Sequence, residues 1–420
     1  MTHYKSDFLN IMQERGFIYQ CTDFDALDQL LATERVTAYT GVDPTGASMH
    51  VGHMIPSLMM HWFQKCGHRP LILVGGTTAK IGDPTGKDES RKALTAETVD
   101  ANIQSLKKPF SKLVNFGDGT GDNDAILVNN ADWLEKIGYT DFLRDYGRHF
   151  TINRMIGMES VKQRLDRESP LTFLEFNYMI MQGYDFLHLA REYDCRFQLS
   201  GSDQWGNVIQ GVELGRRVLK KELFGLTAPL LTTSSGKKMG KTEGGAVWLN
   251  DDMLPPYDYY QYWRNTEDGD VEKFLKLFTT LPMDEIAKLG ALKGAEINEA
   301  KKILAFETTK MIHGAEAAEL SAKTAAEAFE QGMNAAGLPS ITVSKSDLEA
   351  GISILQLYRE TGLVASGGEA KRLIKGGGAR MNDEKVNSEG AMVTISDLGA
   401  DDAIKLSAGK KKHALVKIEA

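Results

Sequence analysis

Four short, largely apolar runs constrain the fold most. They are Val36–Val42, Leu71–Val74, Ala125–Val128 and Phe197–Leu199. None shows the in–out alternation of a strand with one wet face, so each must be covered on both sides, as in a parallel sheet between helical layers. The first breaks at the turn sequence Asp43-Pro44-Thr45-Gly46 and the second ends in Gly75-Gly76. Helical spacing separates the runs, and Phe8, Leu9, Ile11, Met12, Leu27, Leu30 and Leu31 place helix ahead of the first. The expectation is an α/β chain built on a doubly wound, Rossmann-like parallel sheet. Ligands bind such sheets beyond the carboxyl ends of the strands. The polar segments just past the runs, 43–53, 82–87 and 201–206, are therefore where chemistry is expected.

Two further patterns narrow that chemistry. His50 and His53 are spaced i, i+3 with Gly52 between them, so they share one face of a helix expected to start near His50. A helix N-terminus adds exposed N–H groups and a positive dipole end for phosphate. Gly52 removes a side chain that would hold a flat adenine ring off the backbone. Far downstream, Lys238 and Lys241 flank Met239 and Gly240. Two lysines on a loop with Gly236 and Gly240 can clamp a departing pyrophosphate when the loop closes. Activating a carboxylate with ATP is an in-line displacement at the α-phosphorus, and it needs positioning and charge stabilisation more than proton transfer. Tyr178, Gln182 and Asp185 stand at i, i+4 and i+7, one polar stripe on a helix whose neighbours Met179, Ile180, Phe186 and Leu187 are apolar. Buried polar groups need partners, and a bound amino acid can supply them.

The chain has 420 residues, which implies two or three domains. We read a sheet domain over 1–244, a helical domain over 245–330, a linker over 331–350 and a small α+β unit over 351–420, with helices near Leu355–Thr361 and Glu369–Lys375 and short strands after them. A net charge of −8 excludes a globally basic nucleic-acid binder but leaves room for a local basic patch. Lys371, Arg372, Lys375 and Arg380 form one such cluster, with Lys410, Lys411 and Lys412 in a late turn. No apolar run reaches membrane-spanning length, and the N-terminus has no signal-peptide core. Cys21, Cys66 and Cys195 are scattered and odd in number, without disulfide or zinc spacing, which points to a reducing cytoplasm.

The whole chain resembles the bacterial-type tyrosyl-tRNA synthetases, class I aminoacyl-tRNA synthetases with a C-terminal S4-like RNA-binding domain. The stretch from Tyr39 to His53, the stretch from Phe176 to Asp185, the segment from Gly201 to Asn207 and the lysine segment 238–242 carry the likeness, and Ser366–Lys375 with Met381 and Asn382 carries the S4 part. Val51 stands where Ile is commoner, and Gly240 and Thr242 where the wider class has serines. The resemblance implies that Tyr39 and Asp185 hold the phenol of L-tyrosine and that Asp83, Tyr178 and Gln182 hold its ammonium. Asp203 and Gln204 then face the ribose and the carboxylate. Gly41, Asp43, Gly52, Gly201 and Lys238 border ATP; Thr45, His50 and His53 meet its phosphates; Lys238, Lys241 and Thr242 meet the pyrophosphate. Lys87 and Arg91 are weaker candidates for phosphate or tRNA. The implied partners are ATP with Mg2+, L-tyrosine, tRNA(Tyr) with the helical domain on its anticodon side, and a second copy in a homodimer; no resident metal and no membrane are expected. A tryptophanyl ligase, an HxGH nucleotidyltransferase and a non-catalytic RNA-binding relative fit parts of the pattern.

Overall fold

A six-stranded sheet organises the N-terminal half. Its strands are β1 (Gln20–Cys21), β2 (Thr37–Val42), β3 (Arg69–Val74), β4 (Ile126–Asn129), β5 (Cys195–Gly201) and β6 (Phe224–Ala228). They lie in the order β1-β6-β5-β2-β3-β4. All neighbours are parallel except β1, which runs antiparallel to β6. From β2 the chain winds outward through β3 and β4, then returns to place β5 and β6 on the other side. The order reverses between β2 and β5, and that is the switch point at which a doubly wound sheet takes its ligand. The computed structural model describes residues 3–85, 94–234, 236, 239, 241–242, 245–330, 338–399, 403–409 and 412–418.

The local chemistry explains the elements. In β3 every residue from Pro70 to Val74 is buried, as the uninterrupted apolar run requires. Helix α1 (Asp7–Arg15) starts under the Ser6 hydroxyl and stops at Gly16 in the left-handed region. Helix α2 (Met54–Lys65) follows β2, and α3 (Ala96–Leu113) follows β3. Helix α4 (Phe173–Glu192) opens with a capping box between Thr172 and Glu175, and α5 (Trp205–Val218) packs along it. Tyr39 meets Phe186 of α4 at 5.1 Å between ring centres. On the opposite side of the sheet Phe197 meets Phe8 and Phe63. Strand β6 escapes a reading by apolar run because Gly225 and Ala228 dilute it. Gly225 is there for packing: a Cβ on it would lie 2.2 Å from the Val208 side chain of α5.

The chain divides into two compact units. The first holds residues 1–240, 248–250 and 267–291; the second holds 241–247, 251–266 and 292–420. The helical stretch read as one domain over 245–330 is thus shared between them. The reason is Arg15, whose guanidinium donates to the carbonyls of Lys276, Thr279 and Leu281 and so fastens the end of the helix Val271–Phe278 to α1. Within the second unit, the helices Pro256–Arg264, Ile297–His313 and Ala315–Glu330 pack on one another. Beside them lies a five-stranded sheet made of β7 (Ser340–Val343), β8 (Ala379–Met381), β9 (Glu384–Lys385), β10 (Ala403–Ala408) and β11 (Lys412–Ile418), in the order β9-β8-β10-β11-β7. Here the linker reading of 331–350 is corrected. Residues 331–337 lie outside the described residues, but β7 pairs in parallel with β11, and Lys345–Ala350 is a helix capped by Ser344. The strand is short and half exposed, so it leaves almost no apolar signal. Helices Ile354–Glu360 and Gly367–Lys375 complete the unit, around a core in which the Tyr358 hydroxyl donates to the carbonyls of Arg380 and Ser407.

Candidate active site

The carboxyl edge of the first sheet opens at its switch point into a cavity of about 420 Å³. The tyrosine and ATP residues expected from the sequence that the structure describes, from Gly41 in β2 with Asp43 and Thr45 past it to Gly201 at the end of β5 with Asp203 and Gln204 past it, all line it. Lys238 lies outside the described residues, as do Lys87, Arg91, Lys410 and Lys411. The backbone of Lys241 and Thr242 forms a two-residue strand paired with Gly245 and Ala246.

The segment after β2 does not run straight into helix. Val51–His53 is a single 3-10 turn, and α2 proper begins at Met54. The turn is held by its own histidines. Nδ1 of His50 accepts the Gly52 N–H at 3.0 Å, and Nδ1 of His53 accepts the His50 N–H at 3.3 Å, a reciprocal cap. The rings stack, 3.9 Å between centres and 20° between planes. The reason for Gly52 therefore changes. A Cβ there would meet Cε1 of His50 at 2.8 Å, so the glycine makes room for the histidine ring before it makes room for any ligand. Trp248 flanks the pair at 6.2 Å from His50.

Asp185 is the most constrained group in the cavity. It is buried on α4, with Oδ1 accepting from Trp133 Nε1 at 2.7 Å and Oδ2 from Asn130 Nδ2 at 3.0 Å. Burial pushes its carboxyl up to about 7; the two donors pull it down and the charge of Asp43 pushes it further up. The Tyr39 hydroxyl is buried and has no hydrogen-bond partner among the described residues. Burial and the nearby Asp185 hold it well above the usual phenol range, so it keeps its proton as a donor. Asp43 accepts from the Tyr178 hydroxyl at 2.9 Å and from Thr78 Oγ1 at 2.7 Å. Asp83 accepts from Gln204 Nε2 at 2.7 Å, and Gln204 is steadied in turn by Asn207. Oε1 of Gln182, Oε1 of Gln198 and Oγ of Ser200 are buried without partners among the described residues, beside the same space. Uncompensated buried polar atoms are costly, and a polar ligand that bonds to them relieves that cost.

Sequence reasoning missed Thr78, Asn130, Trp133, Gln198 and Asn207. A signal existed for Asn130: it stands directly past the carboxyl end of β4, where polar residues face ligand. Trp133 carried none, because a tryptophan beside a leucine in a short helix reads as core. In the second unit Lys371, Arg372, Lys375 and Arg380 are all exposed, but Glu389 lies 3.9 Å from Lys371 and 3.3 Å from Lys375. Arg380 donates to the Asp383 carbonyl.

The family described as tRNA synthetases class I (W and Y) matches residues 31–330. The chain is also 58% identical to the tyrosine–tRNA ligase of Rhodopseudomonas palustris, over 100% of both chains. The chain belongs to the tyrosyl branch of the class I tRNA synthetases. Another member of that branch, the tyrosine–tRNA ligase of Mesorhizobium japonicum, is 57% identical over 99% of this chain and 100% of its own. Among solved structures, a C-terminally truncated mitochondrial tyrosyl-tRNA synthetase of Aspergillus nidulans superposes with a TM-score of 0.68 at 33% identity, over 77% of this chain and 94% of that one.

Proposed function

We propose that the chain is a tyrosine–tRNA ligase that activates L-tyrosine with ATP and passes the tyrosyl group to the 3′ end of tRNA(Tyr). The observation that carries the substrate is the pair at the buried end of the cavity, a carboxylate fixed by two donors and a tyrosine hydroxyl without a partner among the described residues. A phenol donates to Asp185 and accepts from Tyr39, so it satisfies both; phenylalanine satisfies neither, and a site built this way rejects it strongly. Tyrosyl-tRNA synthetases are the known case of such rejection, and the family resemblance points to Tyr39 and Asp185 as the residues that make it. Asp83, Tyr178 and Gln182 take the ammonium, and Gln204 the carboxylate side.

In the first step a carboxylate oxygen of tyrosine attacks the α-phosphorus of ATP, and the bond to pyrophosphate breaks. Gly41, Asp43, Gly201 and Asp203 border the nucleotide, and Thr45, His50 and His53 donate to its phosphates as charge builds. Lys238, Lys241 and Thr242 hold the leaving pyrophosphate. In the second step a ribose hydroxyl of the tRNA attacks the tyrosyl carbonyl and AMP departs. Mg2+ arrives on the ATP phosphates, which suits an ion that keeps most of its shell as phosphate oxygens and water; among the described residues there is no cluster of three side chains placed to hold a metal.

Residues 351–420 act as the RNA-binding unit through Lys371, Arg372, Lys375 and Arg380, and the helices before them face the anticodon side. The protein works in the cytoplasm as a homodimer. Support for the dimer comes from an apolar hollow of about 410 Å³ on the first unit, rimmed by Phe173 at 68% exposure, Tyr139 at 64% and Leu174 at 54%. Exposed apolar side chains gathered round one hollow suit a protein contact. No helix among the described residues is long and apolar enough to cross a membrane. ATP–pyrophosphate exchange tests the assignment: tyrosine should drive it, tryptophan and phenylalanine should not. Exchange driven equally by tryptophan would overturn the reading.

A further inference from the structure

An unbroken chain of hydrogen-bonded polar groups, buried except for the half-buried Asp43, joins the two ends of the tyrosine pocket. At one end the Tyr178 hydroxyl donates to Oδ2 of Asp43 (2.9 Å). Oδ1 of Asp43 accepts from Thr78 Oγ1 (2.7 Å). The same Thr78 oxygen accepts from Nδ2 of Asn130 (3.0 Å), which also donates to Oδ2 of Asp185 at the other end (3.0 Å). Asn130 is fully buried and Thr78 is 3% exposed. Oδ1 of Asn130 accepts the Thr77 N–H at 2.9 Å, so the amide cannot turn over without breaking three bonds. With the amide oriented by the Thr77 N–H, the two Asn130 N–H bonds run outward, to Asp185 and to Thr78, and Thr78 passes its own hydrogen to the Asp43 carboxylate. Thr78 uses its single hydrogen on Asp43 and a lone pair on Asn130. Valine has the same shape and can do neither.

Gly75 stands where this chain is tightest. A Cβ on it would lie 2.0 Å from Oδ1 of Asp43 and 2.3 Å from Oγ1 of Thr78. Contacts that short are not tolerated, so any side chain at position 75 separates the two atoms that must bond.

We infer that Thr78 is a positioning residue that couples the ammonium end of the tyrosine pocket to the phenol end, and that Gly75 provides the clearance the coupling needs. The inference rests on the reading of Tyr178 and Asp185 as those two ends. Hydrogen bonds in a low-dielectric chain polarise one another. An ammonium at Tyr178 and a phenol at Asp185 therefore act on the same string of dipoles, and loosening its middle loosens both.

Single-ended ligands test this. Phenylalanine keeps the ammonium and lacks the phenol. 3-(4-Hydroxyphenyl)propionate keeps the phenol and lacks the ammonium. Inhibition constants for both, with KM and kcat for tyrosine in pyrophosphate exchange, are measured on the full-length wild type, Thr78→Val, Thr78→Ser and Gly75→Ala. Thr78→Val should weaken each single-ended ligand about threefold to tenfold, the range for one lost hydrogen bond. It should raise KM for tyrosine by more than either, with a smaller change in kcat. Thr78→Ser keeps the hydroxyl and should restore all three; Gly75→Ala should reproduce the valine pattern by a separate route. If Thr78→Val weakens only one ligand, or neither, the coupling is wrong while the two ends stand. If the wild type itself binds phenylalanine as tightly as tyrosine, the reading of the ends is wrong. Should Thr78→Val not fold, Gly75→Ala decides: unchanged affinity for either ligand in a folded Gly75→Ala protein also overturns the inference.

Discussion

Replacing Asp185 with asparagine should change stability in a pH-dependent way whose sign the structure fixes. Burial raises the carboxyl from the ordinary 3.8 of a solvated aspartate to about 7 in the folded protein. Between those values the folded chain holds a proton that the unfolded chain has lost, so stability falls as pH rises through the window. The deficit is absent below about 4 and complete above about 7. Roughly three pH units at about 1.4 kcal/mol each make it on the order of 4 kcal/mol, and about a third of that is present at pH 5. Asparagine does not titrate, so Asp185→Asn escapes the deficit. It incurs a fixed cost instead. Trp133 and Asn130 both donate to position 185, and an amide offers only one oxygen, which leaves one donor facing another at about 1–3 kcal/mol. The variant should therefore be near wild type or less stable at pH 5 and gain about 2–3 kcal/mol on it by pH 8. Urea unfolding of both ligand-free proteins, followed by circular dichroism at unit pH steps, reads this directly. Parallel stability curves across pH 5–8 would refute the argument, because they would mean that Asp185 titrates like a solvated carboxyl.

The other predictions concern separate parts of the molecule. His50→Ala and His53→Ala should each slow tyrosyl-adenylate formation by the equivalent of about 2–4 kcal/mol while tyrosine affinity, read by equilibrium dialysis, changes little; collapse of affinity with an unchanged rate would reverse the assignment. Lys371→Ala, Arg372→Ala and Lys375→Ala combined should leave pyrophosphate exchange intact, weaken tRNA charging and flatten its salt dependence; an equal fall in both activities would exclude a dedicated RNA contact. Phe173→Ser should shift the protein from dimer to monomer in sedimentation analysis, and a variant that stays dimeric would move the interface elsewhere.

The sequence exposed the sheet where strands are apolar on both faces and hid it where they are not. Strand β3 announces itself as five buried residues in a row. Strand β6 does not, because its glycine serves the contact with Val208, and β7 does not, because half of it is wet. Groups that present themselves to the cavity were legible because their spacing means something on a helix: Tyr178, Gln182 and Asp185 form a stripe. The groups behind them were not. Asn130 and Trp133 follow β4 while Thr78 follows β3, and they meet only when the sheet has brought β3 and β4 beside each other. Gly52 was noticed for one reason and is required first for another, because the ring it must clear belongs to its own turn.

The interlocked histidines have a consequence for what they can do in the reaction. A neutral imidazole has one nitrogen that carries hydrogen and one that does not, and the bond made by one nitrogen decides the state of the other. Here Nδ1 of each ring is occupied as an acceptor of a backbone N–H. Assigned from these bonds, both rings adopt the Nε2–H tautomer. Neither can act as a proton acceptor through Nδ1 without surrendering its cap on the turn, and each Nε2 already carries its hydrogen. The pair is therefore set, before any nucleotide arrives, as two stacked donors fixed relative to each other. Because each ring's setting depends on the same three-residue turn, loss of one histidine should turn or re-tautomerise the other, and the two substitutions should be far from additive.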